Sequence, residues 1–167
     1  MKGFPVAVEK DHIPGILEKS ISSKDYSISS IEPLALPLYV IVADVSIKRA
    51  FGLRPRQFDR RYVIDGITEE VFRITEKPQY EEYCIENLRE LPARLSESRA
   101  AEMAEKLTHK NVARSFKFFW YPEIEIRSVE KTWLLVWLVG FQDPDGAEYT
   151  SWINSFSGRV INPAPIS

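Results

Sequence analysis

The densest chemistry in this chain lies in one short stretch, "IKRAFGLRPRQFDRR" at 47–61, where six Lys or Arg residues meet a single Asp. Lys48, Arg49, Arg54, Arg56, Arg60 and Arg61 are interleaved there with Phe51, Leu53 and Phe58. Guanidinium forks pair with carboxylates or phosphates, and a ring beside them adds an apolar or stacking contact. This pattern fits docking on an acidic, partly apolar protein surface, with Phe51 and Phe58 as anchors. Holding phosphates and stacking bases is the alternative. A solvated loop that balances the acidic 69–90 segment has the same composition.

The remaining reactive residues point away from catalysis. His12 and His109 are the two histidines, and neither has a second His or a Cys at ligand spacing. The single cysteine, Cys84, excludes an intramolecular disulfide and a Cys-based metal site, and reads as a small buried residue on a helix. None of the seven glycines falls in a phosphate-loop pattern, and "SFSG" at 155–158 lacks the first Gly of a nucleophile elbow. Glu81, Glu82, Glu86 and Glu90 have the spacing of one solvated helix face, and carboxylates on one straight helix do not surround a cation. "DPDG" at 143–146 lacks the remaining ligands of a calcium loop and reads as a turn. The expectation is a protein that is not an enzyme and carries no metal and no cofactor.

Aromatic residues crowd 116–156, and core packing accounts for most of them. One sheet-and-helix layer has trouble burying so many rings. Trp120, Trp133, Trp137 and Trp152 are therefore expected to line a groove or to cover a partner.

These residues need elements to position them. The chain has 167 residues, 44% of them hydrophobic, which suffices for the core of one large domain or two small ones. A net charge of −2 gives no strong overall field for nucleic acid or anionic membrane. The longest apolar runs, "PLALPLYVIVA" and "WLLVWLVGF", are far below the roughly 18 residues of a membrane span. The start, "MKGFPVAVEKDHIPG", has no apolar run of signal-peptide length. The expectation is a cytoplasmic protein, with a trimmed envelope protein as the other source of such a sequence.

Strands are expected at 26–34, 36–47, 62–74, 123–129, 131–141 and 148–156, from alternation and β-branched or aromatic enrichment. Helices are expected at 11–21, at 96–112 with Ser96 or Ser98 as cap, and at 78–91 between two prolines. "YVIDGITEEVFRI" at 62–74 reads like "SWINSFSGRVINP" at 151–163: Ile64, Asp65, Thr68 and Val71 fall on Ile153, Asn154, Ser157 and Val160, an offset of 89. The expected fold is α+β with an internal repeat. A helix-plus-three-stranded-meander unit at 1–75 and a second at 98–167 are joined by a connector helix at 76–97. Strands 36–45 and 133–141 are apolar on both faces, so a face left uncovered would drive a homodimer.

The second unit resembles the PepSY-type domain, a cystatin-like helix-on-sheet module. The residues that carry this are "AAEMAEKL", "EIEIRS", "TWLLVWLVGF" and "SWINSFSGRV", with Asn154 in the place of the family's Asp and Ser157-Gly158 in that of its Thr-Gly. The first unit keeps Asp65 and Thr68 but has Glu69 in place of the Gly. The resemblance covers residues 98–162 well and 11–74 poorly. It implies a non-catalytic role, either inhibition of a peptidase or contacts at the cell envelope. The functional expectation is a protein-binding or regulatory module, and the alternative is a nucleic-acid-associated accessory protein using the 47–61 loop.

Overall fold

The computed structural model describes residues 1–20, 26–116 and 122–161. Its elements run β1 (Lys2–Gly3), α1 (Ile13–Ser20), β2 (Ser27–Ile47), β3 (Arg56–Asp65), β4 (Val71–Ile74), β5 (Glu81–Glu82), β6 (Arg89–Glu90), α2 (Glu97–Ser115), β7 (Glu123–Gln142), β8 (Glu148–Asn154) and β9 (Val160–Ile161). These strands form one mixed sheet, in which β1 runs parallel to β7 and β6 parallel to β2.

This architecture corrects the expected pair of cystatin-like units. Each meander was to have three strands, but its first two fuse into one: β2 is 21 residues long and β7 is 20. The joints "EPLAL" and "SVEK" contain no Gly, Asn or Asp, so nothing there favours the left-handed backbone of a tight turn, and the chain runs straight on.

The connector helix at 76–97 is also absent. That segment supplies β5 and β6 instead, and Asn87 sits at a φ of 57°, outside the helical region. The helical spacing of Tyr80, Tyr83, Leu88 and Leu91 is overridden by backbone pairing. The Tyr83 amide donates to the Met1 carbonyl at 2.7 Å and the Leu91 amide to the Ala35 carbonyl at 2.9 Å. Cys84, expected to be buried on a helix, is exposed on this segment.

The described chain divides into two compact units, and each draws on both halves of the sequence. The first holds Met1–Leu36, Gln79–Leu91 and Trp133–Ser167. In it α1 places Ile13 and Leu17, both fully buried, against Leu135, Trp137, Val139 and Ile153. Gly3 is required because a Cβ there would lie 2.4 Å from the Tyr83 ring. That closeness lets the Tyr83 hydroxyl donate to the Phe4 carbonyl at 2.6 Å and accept from the Leu135 amide at 3.2 Å. Burial pushes the Tyr83 phenol up to about 12.

The second unit holds Pro37–Pro78 and Pro92–Thr132. Ser96 caps α2 by accepting from the Arg99 amide at 3.2 Å. Ala100 and Ala104, fully buried, let the helix lie close on Tyr39, Ile41, Tyr62 and Ile64. Further along, Val112 meets Val45 and Ile47. Helix α1 thus packs on strands from the C-terminal half, and α2 on strands from the N-terminal half.

The two quoted turns have matching geometry. Asp65 Oδ1 accepts from the amides of Ile67 and Thr68 at 2.7 and 3.0 Å, and Asn154 Oδ1 from those of Phe156 and Ser157 at 2.9 and 3.0 Å. The fifth residue of each turn has positive φ, 60° at Glu69 and 69° at Gly158. Pairing continues in the same register, Ile64 with Val71 and Ile153 with Val160.

Both faces of the long strands are buried in the single chain: Val40, Val63, Leu134 and Val136 are all under 9% exposed, although they alternate with the helix-facing residues. An apolar sheet face left open for a homodimer is therefore not found at these positions. No described helix is long and apolar enough to cross a membrane.

Candidate binding hairpin and the surroundings of Trp137

The basic stretch closes the hairpin between β2 and β3. Their pairing ends at Ile47 and Arg56, which leaves Lys48–Pro55 as the connection. Within it Phe51 has φ 61° and ψ 32°, the left-handed region, followed by Gly52 at φ 68°. Phe51 is 100% exposed and Leu53 58%. A shallow hollow of about 250 Å³ beside them is lined by Lys48, Arg49, Leu53 and Pro55.

The eight residues expected to bind a partner divide into two groups. Phe58, Arg56 and Arg60 are engaged within the chain: the Phe58 and Phe116 rings lie 5.9 Å apart, Arg56 stacks over Phe116 at 5.0 Å, and Arg60 over Phe58 at 4.5 Å. Burial, and next the nearby Arg73 charge, lower the pKa of Arg60. Arg61 pairs with Asp59 at 2.8 Å. Lys48 pairs with Glu123 at 2.6 Å in an exposed contact, and this hydrogen bond raises its pKa. Arg49, Arg54 and Phe51 have no ion pair or ring contact among the described residues, and with Leu53 they form the free tip. The free subset was not readable from composition. Strand register decides it, because Arg56, Phe58 and Arg60 fall on the helix-facing side of β3 with Tyr62 and Ile64.

A second hollow of about 490 Å³ is lined by residues of β2, β3 and β7 near the base of this hairpin. Three of its four carboxylates are matched by cations: Arg127 Nε donates to Asp44 Oδ2 at 2.8 Å, with a second contact from Nη2 to Oδ1, Lys48 pairs with Glu123, and Arg61 with Asp59, while Glu125 has no ion pair among the described residues. Its lining is largely an ion-paired strand surface.

The three described tryptophans do not all line one groove. Trp120 lies outside the described residues. Trp133 packs at the edge of the first unit's core, and its carbonyl accepts from the Phe4 amide at 2.8 Å. Trp137 and Trp152 are both largely buried, but Trp137 pairs with Ile153 and Trp152 with Leu138, so their side chains leave the sheet on opposite faces. Period-two alternation separates what one-dimensional crowding suggested. The Trp152 Nε1 is buried without a hydrogen-bond partner among the described residues, whereas Trp137 Nε1 donates to the Val8 carbonyl at 2.9 Å.

Trp137 does line two hollows of the first unit, about 360 and 470 Å³, together with Lys10 and Ile85. Val6 and Tyr83 extend the apolar floor of the first. Glu9, Asp11, Glu81 and Glu82 surround that floor, and Glu32 and Glu86 continue the acidic rim along the second, with Lys10 and Arg89 as the cations. The sequence signal for this site was the acidic run of 81–90, which reads as a helix face by spacing and becomes a rim because the segment is extended. Compared with known families, curated proteins and solved structures, the chain matches no family model, no curated protein and no solved structure.

Proposed function

We propose that this chain is a non-enzymatic protein-binding module that docks through the tip of its β2–β3 hairpin onto an acidic, partly apolar surface. The observation that carries this reading is Phe51, fully exposed in a left-handed backbone conformation. A non-glycine residue there costs about 1–2 kcal/mol, and an exposed ring recovers none of it by burial. Gly or Asn would serve the turn better, so the fold alone does not account for a Phe. Arg49 and Arg54 flank it with charges that the described residues leave unpaired, and no acid occurs from Val45 to Phe58. Arg beside an aromatic is a frequent composition at the energetic centre of protein interfaces.

The test is charge reversal at the two unpaired arginines. Arg49→Glu with Arg54→Glu removes partner capture and shifts stability by no more than about 0.5 kcal/mol, as for exposed charges. Undiminished capture by this variant would refute the reading. Preferential binding of a mixed-sequence oligonucleotide, steeply weakened by salt, would replace it with the nucleic-acid alternative.

A further inference from the structure

The hairpin tip and the hollows around Trp137 are opposite in charge and alike in shape of chemistry. The tip presents Phe51 and Leu53 within a collar of Lys48, Arg49 and Arg54. The hollows present an apolar floor, Trp137, Ile85 and Val6, within a rim of carboxylates. The floor residues are of the kind that receive a ring, and the rim is of the sign that receives guanidinium groups. Glu9, Asp11, Glu82 and Glu86 form no ion pair among the described residues, whereas beside the hairpin Asp44, Asp59 and Glu123 are each matched by a cation within the chain.

We propose that the hairpin tip of one molecule docks in the Trp137 hollows of a second copy of this chain. The proposal rests on the reading of the hairpin as the docking element, and names a partner for it. Because the two patches differ, the contact is head-to-tail: a docked pair keeps one free tip and one free hollow, so association continues into chains or closes into a ring. The contact is small, the tip of one hairpin against one depression, so it belongs with weak encounters below about 1,200 Å². Local attraction acts despite the like net charge of the two molecules, because patches in contact lie well within the screening length of about 10 Å at 0.1 M salt.

Sedimentation of the full chain over a range of concentrations tests this. The wild-type average mass rises with concentration at about 0.01 M salt and returns to that of the monomer near 1 M, where the screening length is about 3 Å. The hairpin variant Arg49→Glu/Arg54→Glu and the rim variant Glu82→Lys/Glu86→Lys each stay monomeric alone. Mixed in equal amounts they associate again, because the intact tip of the rim variant meets the intact rim of the hairpin variant, and the reversed tip meets the reversed rim. Phe51→Ser, which leaves every charge in place, also stays monomeric. Thermal melts confirm that each variant is folded. A wild-type monomer at every concentration in low salt overturns the proposal, as does a mixture that stays monomeric. Chains that persist in both reversed variants place the contact elsewhere and overturn it too. A protein that is always monomeric but still loses capture of a foreign partner on reversal of Arg49 and Arg54 defeats self-docking alone and leaves the hairpin reading intact.

Discussion

The Tyr39 hydroxyl donates to the carbonyl oxygen of Leu95 at 2.7 Å, the residue that leads into the capped start of α2. In the other unit Trp137 does the same work with its indole, donating to the Val8 carbonyl at 2.9 Å just ahead of the turn into α1. Around both pairs the backbone matches: the Leu95 amide bonds the Gly66 carbonyl at 3.0 Å, and the Val8 amide bonds the Ser155 carbonyl at 2.7 Å. A buried ring with one polar atom thus ties each helix entry to a strand from the opposite half of the sequence.

That crossing makes a prediction about cutting the chain. A protease site placed between Glu76 and Lys77, both exposed, divides the sequence between β4 and β5. Each compact unit contains residues from both fragments, so the cleaved halves co-elute in native buffer and separate only in denaturant. Fragments that part in native buffer contradict the fold described.

Tyr83 supplies a pH dependence. Its phenol is pushed up to about 12 from 10.0 by burial, so the native state holds the proton more tightly than the unfolded chain. The resulting stability is fully present below pH 10 and is lost as pH rises toward 12. Tyr83→Phe removes this part of the alkaline slope and costs about 1–3 kcal/mol at neutral pH, because the Leu135 amide loses its acceptor. Urea titrations at neutral and alkaline pH measure both effects.

The matched turns give a paired test. Gly158→Ala places a Cβ at ordinary contact, 3.5 Å from Val8, so its cost is that of positive φ, about 1–2 kcal/mol. Glu69→Gly, at φ 60°, acts in the opposite sense and stabilises by up to about 1 kcal/mol, reduced by the added chain entropy. Equal effects of the same sign in chemical denaturation would contradict the turn geometry.

Local chemistry was legible in the sequence, and long-range pairing was not. The Asp65 and Asn154 turns, the Ser96 cap and the "DPDG" turn follow from side chains that bond their own backbone within a few residues, and Asp143 indeed accepts from the amides of Asp145 and Ala147. The 78–91 segment misled because Tyr80, Tyr83 and Leu88 have helical spacing, while its strand pairing depends on Met1 and Ala35, far away in the chain. The fused strands β2 and β7 hid the exchange of helices between halves, since nothing near Pro37 or Thr132 marks the passage from one unit to the other. The basic stretch was visible at once. Which of its arginines are free depended on the register of β3 and on the position of Phe116.

The most direct measurement of the central claim, that the hairpin tip is the docking element, is position-resolved photo-crosslinking in the full chain. A photoreactive side chain replaces Phe51 in one sample and Tyr149, exposed beside the compact second turn, in another. Position 51 gives a discrete protein adduct that disappears when Arg49 and Arg54 are reversed and when salt is raised, and position 149 gives none. Absence of any adduct at 51, or equal labelling from both positions, contradicts the account.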